Sequence, residues 1–325
     1  MPIRVRLVAT AGPLDGRGHL GRVLSLAEAD WPTGTALELE LVRGGLTDGE
    51  RARAVAVGLR EVPTGTELGP DQVAVVDLPD PGAAAARSDP ARLAVVDDRD
   101  EFGGSAALVV QPSQQAWTGP GTAAAVLAGY DYVPVPAAVR RRRAEADRHG
   151  DRRERARPSV LICFGGSDPA QVTARLVPAL AQVLDAEIEA VIGASYRGST
   201  EGWPVPVRRD PSDLVDRLAA ADLAVLGAGT MKFEAACLAR PMVLLAVADD
   251  QLRVGPAFAS TGAARFLGDG RTIDPIAVAD AIGTLLADRT ARTEMGAAAG
   301  RLVDGRGADR IAAAIGRLAQ PAARS

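Results

Sequence analysis

The sequence predicts an α/β protein built on two parallel β-sheets, and three observations support this fold class. Apolar runs of strand length recur along the chain, each followed by Gly or Asp and then by a stretch rich in Ala, Leu and Arg, which is the order of βαβ units. Residues 93–96 and 244–247 are apolar at every position, as expected for parallel strands covered on both faces. The length of 325 residues favours two domains, because one domain takes roughly 100–200 residues.

Each predicted strand is a short run rich in Val, Leu, Ile or Ala. The runs fall at residues 3–10, 37–42, 73–76, 93–96, 107–110, 160–164, 188–192, 223–226 and 242–247. Helices are expected in the Ala-, Leu- and Arg-rich stretches at residues 23–29, 170–183, 235–238, 276–286 and 310–318.

A charged segment separates the two halves of the chain. Four consecutive arginines begin at Arg140, but acidic residues are interleaved with the basic ones that follow, which favours a solvated connector over an anion-binding site. Prolines stand on both sides of this segment, as is typical of a domain boundary. We therefore predict a first Rossmann-like domain over 1–139, a charged linker over 140–157 and a second Rossmann-like domain over 158–325.

The composition excludes several functional classes. A net charge of −4 and a pI near 5.4 argue against a nucleic-acid partner, since such domains usually carry a basic excess. Cys163 and Cys237 have no second Cys or His at metal-ligand spacing, so we expect neither a metal nor another cofactor. The longest uncharged apolar stretch, residues 241–248, is much shorter than the roughly 18 residues of a membrane span. We expect a cytoplasmic protein without stable membrane insertion.

A glycine-rich loop follows the first predicted strand. Gly16, Gly18 and Gly21 match the pattern G-x-G-x-x-G, and Glu38 or Glu40 follows at the distance of a ribose-binding acid, so an NAD-dependent Rossmann enzyme is one interpretation. In that fingerprint, however, the first glycine follows the strand directly. Here five residues intervene before Gly16, which favours a ligand loop of another kind.

His19 is the candidate catalytic base within this loop. Its imidazole can accept a proton near neutral pH, and it lies at the start of a predicted helix, after the first parallel strand, where α/β proteins bind ligands. A histidine that only caps its own helix is the alternative. Arg22, one turn later, is expected to pair with a substrate carboxylate or phosphate, or to form a surface ion pair.

A second glycine loop follows the first strand of the second half. Gly165, Gly166 and Ser167 precede a predicted helix, and successive backbone amides there would form a nest for a phosphate-sized anion. No Lys follows in the P-loop pattern, which excludes that motif. The alternative is a tight turn in which Asp168 caps the helix and Pro169 occupies its first position.

Two further segments place polar residues after strands of the second half. Gly229 and Thr230 lead to Glu234, whose carboxylate can accept hydrogen bonds from two ribose hydroxyls. A solvated helical acid is equally consistent with Glu234 alone. Asp250 and Gln251 follow the next strand, where they can bind sugar hydroxyls or simply form a turn.

Taken in order, these motifs resemble the UDP-2,4-diacetamido-2,4,6-trideoxy-altropyranose hydrolases of the pseudaminic acid pathway, which belong with spore-coat polysaccharide biosynthesis proteins. The resemblance covers roughly residues 3–269. It is carried by Gly16-Arg17-Gly18-His19 with Arg22, by Asp97-Asp98, by Gly129-Tyr130-Asp131-Tyr132-Val133, by Phe164-Gly165-Gly166-Ser167-Asp168-Pro169, by Gly229-Thr230-Met231-Lys232-Phe233-Glu234 and by Asp250-Gln251.

The resemblance implies a glycosyltransferase-B fold, in which two Rossmann-like domains face each other across a cleft. It implies a metal-independent enzyme that cleaves the anomeric C–O bond of a UDP-sugar by hydrolysis, with inversion and release of UDP. In the family pattern His19 is the base, Glu234 binds the ribose and the loop at Gly165 lies beside the diphosphate. Tyr130 falls in a segment that the family uses for substrate binding.

The chain departs from the family pattern at two positions. Thr230 is followed by Met231 where the family usually has Ser-Thr, and Asp250 replaces a more usual Asn. Both changes leave the sugar and the reaction open. An inverting glycosyltransferase would use the same base on an acceptor hydroxyl, and a non-catalytic protein that binds nucleotide-sugars is a third interpretation.

Overall fold

The computed structural model of the chain describes residues 3–11, 17–149 and 157–319, and it divides into two α/β units. The first unit comprises residues 1–137 and 305–325, and the second comprises residues 138–304. Each unit contains one sheet in which all paired strands are parallel. The prediction of two parallel sheets is therefore confirmed.

The first unit contains a seven-stranded sheet of order β3-β2-β1-β4-β5-β6-β7. Its strands are β1 Arg4–Thr10, β2 Ala36–Arg43, β3 Arg60–Val62, β4 Gln72–Asp77, β5 Leu93–Val96, β6 Ser105–Gln111 and β7 Thr122–Ala128. Its helices are α1 Gly18–Ala27, α2 Asp48–Ala56, α3 Gly82–Ala85 and, from the carboxyl-terminal part of the chain, α11 Gly307–Leu318.

Alternation along β1 builds two cores, one on each face of the first sheet. Val5 and Leu7 belong to a buried cluster that includes residues of α1 and α11, because successive side chains of a strand point to opposite faces. Val8 packs into a second cluster on the other face, with Val76 and Val95 from neighbouring strands. The carboxyl ends of the strands are thereby held in fixed positions.

The second unit contains a six-stranded sheet of order β10-β9-β8-β11-β12-β13. Its strands are β8 Ser159–Cys163, β9 Glu187–Ile192, β10 Val207–Arg209, β11 Leu223–Gly227, β12 Met242–Ala246 and β13 Arg265–Asp269. Helix α4 Ala137–His149 leads into this unit, which also contains α5 Val172–Val183, α6 Leu214–Ala220, α7 Met231–Cys237, α8 Asp249–Ala259, α9 Pro275–Ala287 and α10 Arg289–Leu302. Leu176 of α5 and Ile282 of α9 pack with Ile162 of β8 in one apolar cluster.

The nine predicted strands are present, and the four unpredicted strands in the described part of the chain are the edge strands of the two sheets. These edges are β3 and β7 in the first sheet and β10 and β13 in the second. Two of them are only three residues long, and β7 is largely exposed. An edge strand buries less surface than a central one, so β3 and β10 lack the continuous apolar run that marks the interior strands. Strand β7 does contain such a run, at residues 123–128, and the sequence prediction missed it.

The structure differs from the predicted domain boundary at the carboxyl end of the chain. Helix α11 belongs to the first unit rather than to the second, because Ile311 and Ile315 are buried in the first unit's core. Gly307 approaches so closely that an added Cβ would lie 2.2 Å from the Val133 carbonyl oxygen. The sequence prediction placed α11 in the second domain because α11 follows that domain along the chain.

The predicted charged linker is partly helical. Helix α4 extends to His149, and Arg143 donates from Nη1 to the carbonyl oxygens of Cys237, Gly300 and Val303 at 3.1, 3.0 and 2.8 Å. The segment from 138 to 149 is thus part of the second unit, and residues 150–156 lie outside the described residues. Within the described ranges, no helix combines the length and the apolar character that crossing a membrane requires.

Candidate functional site

Three neighbouring strands of the first sheet bring polar side chains to one edge. Strand β4 lies between β1 and β5, and Ala9 near the end of β1 is in register with Asp77 at the end of β4. His19 lies in the helix that follows β1, and Asp98 is the second residue after β5. Parallel strands end at the same edge, which explains why residues far apart in sequence meet here.

His19 and Asp77 form the centre of this site. Helix α1 begins at Gly18, so His19 lies in its first turn. The His19 Nδ1 atom is 2.6 Å from Asp77 Oδ1, the Asp77 side chain is fully buried, and the His19 side chain keeps 13% of its surface exposed. The imidazole is therefore anchored on one side by a buried carboxylate and still reaches solvent.

Arg22 clamps the same carboxylate from one turn further along α1. Its Nε donates to Asp77 Oδ2 at 2.8 Å, and its Nη2 donates to Asp77 Oδ1 at 2.7 Å. Its Nη1 donates to Asp98 Oδ2 at 2.7 Å. Only 10% of the Arg22 side chain is exposed, so Arg22 is bound within the protein. The alternative of a surface ion pair is therefore wrong, and a contact of Arg22 with a substrate stays a prediction.

Electrostatics determine which nitrogen of His19 carries a proton. Burial by itself raises the pKa of Asp77, but the charge and hydrogen bonds of Arg22 and the contact with His19 lower it to about 2. The pKa of Arg22 is raised despite its burial, because Asp77 and Asp98 stabilise the cation. Asp77 is thus ionised, and a carboxylate can only accept, so its short contact with Nδ1 places the proton on that nitrogen. Arg22 Nη2 also lies 3.0 Å from Nδ1, but it donates to Asp77 Oδ1 at the shorter distance of 2.7 Å. Nε2 is then the basic atom of neutral His19.

Asp77 was not identified from the sequence, although a signal for it was present. The predicted strand 73–76 ends immediately before Asp77, so this carboxylate follows a parallel strand at the edge that binds ligands. The strand order, which places β4 beside β1, is what turns that signal into a contact with His19.

The structure argues against the dinucleotide interpretation of the first glycine loop. Gly18 and Gly21 lie in α1, and Gly16 lies outside the described residues. Glu38 is buried and accepts hydrogen bonds from Arg6 and Gln72. Glu40 is also buried, and it forms an ion pair with Arg87. Neither acid is available to a ribose.

Two other residues of the family pattern have structural roles in the first unit. Asp97 is buried and accepts hydrogen bonds from the Phe102 amide at 3.0 Å and from Trp117 Nε1 at 2.8 Å. Tyr130 lies in a 3-10 turn and is 5% exposed, and burial raises the pKa of its hydroxyl. The expected contact between Tyr130 and a substrate lacks the exposed surface that it requires.

The loop after β8 contains both features that the sequence suggested. Gly165, with a φ of +94°, and Gly166 are exposed at the carboxyl end of the strand. Asp168 is buried and caps the following helix, accepting from the amides of Val172 and Thr173 at 3.0 and 2.7 Å. The helix begins at Val172, with Gln171 at its N-cap position. Asp168 thus accepts from amides of the first turn as the capping alternative predicted, but Pro169 lies before the helix and not at its first position. An anion would have to use the loop amides instead of these helical ones.

The backbone of a second loop supports the exposed glycines. The Ser195 amide donates to the Gly166 carbonyl at 3.2 Å. A Cβ added at Gly193 would lie 2.3 Å from Gly166 Cα, so only glycine permits this approach. The position of the Gly165–Gly166–Ser167 loop therefore depends on Gly193.

The loop after β11 lies at the same edge of the second sheet, since β8 and β11 are neighbours. A Cβ added at Gly227 would lie 3.8 Å from the Phe164 carbonyl oxygen. The loops that follow β8 and β11 are therefore close together. Thr230 precedes α7, and Glu234 is half-buried within that helix. Glu234 and the glycine loop at Gly165 thus flank one surface of the second unit.

Lys232 is a residue of this region that sequence reasoning missed. It is 2% exposed and donates from Nζ to the carbonyl oxygens of Ala228 and Gly229 at 2.8 and 3.0 Å. Its ammonium also lies 4.0 Å from the centre of the Phe233 ring, a favourable cation–π distance. The signal in the sequence is that this is the only lysine in the chain.

The pair Asp250 and Gln251 lies in the first turn of α8, not at a strand end or in a plain turn. Asp250 is exposed. Gln251 Oε1 accepts from the Val247 amide at 3.0 Å, and its amide group packs beside Gly229. Gln251 therefore supports the Gly229 turn through its own side chain. Among the described residues, no group of three His, Cys, Asp or Glu side chains is arranged to hold a metal ion.

Comparison with known proteins gives one curated relative and many structural neighbours. No protein-family model matches the chain. The spore coat polysaccharide biosynthesis protein SpsG of Bacillus subtilis (strain 168) is 25% identical over 169 residues, which are 48% of this chain and 49% of SpsG. The match thus spans about half the length of this curated relative.

The solved structures cover nearly the whole chain at low identity. The spinosyn forosaminyltransferase SpnP has a TM-score of 0.65 at 16% identity, covering 98% of this chain and 99% of its own. MurG of Acinetobacter baumannii has a TM-score of 0.62 at 15% identity, covering 97% and 100%. Glycosyltransferase VinC, solved with dTDP, has a TM-score of 0.61 at 17% identity, covering 98% and 99%. The two α/β units of this chain therefore match the glycosyltransferase-B fold.

Proposed function

We propose that this protein is an inverting, nucleotide-sugar-dependent glycosyltransferase in which His19 is the catalytic base. The observation that carries the proposal is the 2.6 Å contact between His19 Nδ1 and the buried carboxylate of Asp77. This contact leaves Nε2 as the basic atom, on a side chain that still reaches solvent. Two of the solved structures with this fold are glycosyltransferases by name.

In the proposed step, an acceptor hydroxyl attacks the anomeric carbon of the donor from the face opposite the diphosphate. The new C–O bond forms as the bond to the diphosphate breaks, and the configuration at that carbon inverts. His19 Nε2 takes the hydroxyl proton, and Asp77 stabilises the resulting imidazolium. General base catalysis of this kind contributes roughly 10²–10⁴-fold to the rate.

The proposal assigns nucleotide binding to the second unit. The exposed loop of Gly165, Gly166 and Ser167 offers backbone amides to the diphosphate, and Glu234 offers a carboxylate to the ribose hydroxyls. Support comes from their location, because both follow neighbouring parallel strands at one sheet edge. VinC, a neighbour in fold, was solved with a nucleoside diphosphate.

Transfer is favoured over hydrolysis, which the family resemblance had favoured. The names of SpnP and VinC include a transferase activity, and SpsG is named for polysaccharide biosynthesis. The motifs from Gly16 to Gln251 still favour hydrolysis of a UDP-sugar. Water and an acceptor hydroxyl need the same base, so the two reactions differ only in the nucleophile.

The decisive experiment incubates the purified protein with UDP- and dTDP-sugars, with and without candidate acceptors, and follows nucleotide release by mass spectrometry. Rapid release that depends on an acceptor identifies a transferase, and rapid release without one identifies a hydrolase. If calorimetry detects nucleotide-sugar binding but no donor is consumed, the proposal fails in favour of a binding protein.

Two variants assign the roles of the two units. His19→Ala is expected to abolish turnover while leaving nucleotide affinity nearly unchanged. Glu234→Gln is expected to weaken nucleotide binding by about tenfold, since one charge-assisted hydrogen bond contributes roughly 1.5 kcal/mol or more. A His19→Ala protein with near wild-type turnover would contradict the mechanism.

A further inference from the structure

We propose that Arg22 and Asp98 are positioning residues for His19, which act through the Asp77 carboxylate and through the direct contact of Arg22 with the imidazole, and which set the pH range in which His19 works as a base. The inference rests on the proposed function only where it is tested by enzyme kinetics. It concerns residues that do not themselves need to touch the substrate, and it assigns a role to the charges around the base.

The geometry forms a chain of contacts. Asp98 accepts from Arg22 Nη1 at 2.7 Å, Arg22 grips both oxygens of Asp77 at 2.7 and 2.8 Å, and Asp77 holds His19 Nδ1 at 2.6 Å. A carboxylate that accepts through both oxygens cannot rotate freely. The direction of the hydrogen bond between Asp77 and His19 is therefore fixed. Arg22 Nη2 also lies 3.0 Å from His19 Nδ1. Arg22 therefore orients the imidazole both through Asp77 and directly.

The charges of the chain are balanced around His19. Arg22 carries one positive charge, and Asp77 and Asp98 carry one negative charge each, so the three together hold one net negative charge. A protonated His19 brings the cluster to neutrality. Apolar side chains, among them Val96, Val110 and Ile311, line a small cavity behind Arg22 and Asp77, and low polarity there strengthens each of these interactions.

Several other charged groups on the surrounding elements have partners of their own. Arg17 on α1 pairs with Glu50 of α2, Asp97 accepts from the Phe102 amide and Trp117, and Asp80 beyond β4 accepts from the Gly82 amide. On α11, Arg310 donates to the Asp131 carbonyl. In addition Asp15 falls outside the described residues. Arg22, Asp77 and Asp98 are thus the charged groups whose described contacts lead to His19.

The charge balance predicts opposite effects for two substitutions. In Arg22→Met the two carboxylates lose their counter-charge, so a protonated His19 is stabilised and the acidic limb of the kcat/KM profile moves up by about one pH unit. In Asp98→Asn the Arg22 charge is less compensated, so protonated His19 is destabilised and the limb moves down by about half a unit. A purely structural role would lower activity without moving the limb in opposite directions.

Two kinds of control accompany these variants. Arg22→Lys keeps the charge but loses the two-point grip on Asp77, so kcat/KM falls by about tenfold or more while the limb stays near its wild-type position. Arg51→Met and Glu61→Gln remove the same charges from an exposed ion pair of the first unit, whose atoms lie 3.4 Å apart. Neither control is expected to move the limb, since exposed pairs contribute little.

A second measurement needs no substrate. The chain contains two histidines, so NMR of protein labelled with ¹⁵N-histidine resolves His19, and a His149→Gln variant assigns the signals. We expect the wild-type neutral imidazole to carry its proton on Nδ1. We also expect the midpoint of the His19 titration to move up in Arg22→Met and down in Asp98→Asn.

The two measurements separate this inference from the proposed function. If the His19 signals shift as expected but no nucleotide-sugar is consumed, the positioning role stands and the proposed function fails. If turnover requires His19 but neither the limb nor the NMR midpoint moves in the folded variants, the positioning role is overturned and the function remains.

Discussion

The Nδ1 atom of His19 lies 2.6 Å from Oδ1 of Asp77, although 58 residues separate them in the sequence. This contact places a buried negative charge against one nitrogen of the imidazole and directs the other nitrogen away from the protein's own carboxylate. The first prediction removes that charge.

Replacing Asp77 with Asn is expected to lower kcat/KM by about 10²–10⁴-fold, because the amide neither stabilises the imidazolium nor enforces the Nδ1–H tautomer. The donor KM should change little, since Asp77 is fully buried. Asp71→Asn is the matched control, because this exposed Asp precedes β4 at the strand's opposite end. Equal activity of the Asp77→Asn and Asp71→Asn proteins would contradict the role of Asp77.

Replacing Lys232 with Met is expected to weaken nucleotide binding by about tenfold. Met keeps the apolar contacts with Phe233 but cannot donate to the carbonyl oxygens of Ala228 and Gly229, so the turn before α7 loses its support. Calorimetry with UDP and dTDP measures the effect. Unchanged affinity in a folded Lys232→Met protein would show that the turn does not need this cation.

Replacing Gly193 with Ala is expected to displace the loop of Gly165, Gly166 and Ser167. The new methyl group would meet the Gly166 backbone at 2.3 Å, and overpacking of this kind costs about 1–3 kcal/mol. Nucleotide affinity should fall, and the melting temperature should decrease by roughly 2–12 °C. Gly283→Ala in α9 is the control, since its nearest neighbour is the end of Leu184 at 3.9 Å. If both variants bind nucleotide equally well, the loop does not contribute to binding.

The buried acid Glu38 is expected to make stability fall in acid. Burial by itself raises its pKa, but hydrogen bonds from Arg6, Gln72 and Arg60 lower it to about 2 from an ordinary value of 4.5. The stabilisation is therefore complete above about pH 4.5 and disappears as the pH falls towards 2, with a total on the order of 3 kcal/mol.

Urea unfolding between pH 7 and pH 2.5 measures this dependence. A Glu38→Gln protein should be less stable at pH 7 and should lose less stability on acidification than the wild type. Glu61→Gln, which alters an exposed acid of the neighbouring strand β3, should follow the wild-type profile. Identical acid sensitivity of the wild-type and Glu38→Gln proteins would refute the assignment.

Much of the fold was predictable because its signals are local. The interior strands, such as 93–96, are continuous apolar runs whose pattern depends only on adjacent residues, and the helix at α9 follows an apolar periodicity. The edge strands β3 and β10 were not predictable, because three residues with one exposed face carry no such pattern. The same limit applies to α11, whose helical character was predicted but whose core was not.

The candidate site divides in the same way. The sequence by itself determined the parallel α/β class and singled out His19 and the glycine loop at Gly165, because glycines and a histidine after apolar runs are local features. Only the tertiary structure decided that Asp77 binds His19 and that Arg22 joins Asp77 to Asp98, across 55 and 76 residues of sequence. The physical reason is the strand order, since β1, β4 and β5 become neighbours only when the sheet forms. Side-chain partners across that edge leave no trace in the spacing of residues along the chain.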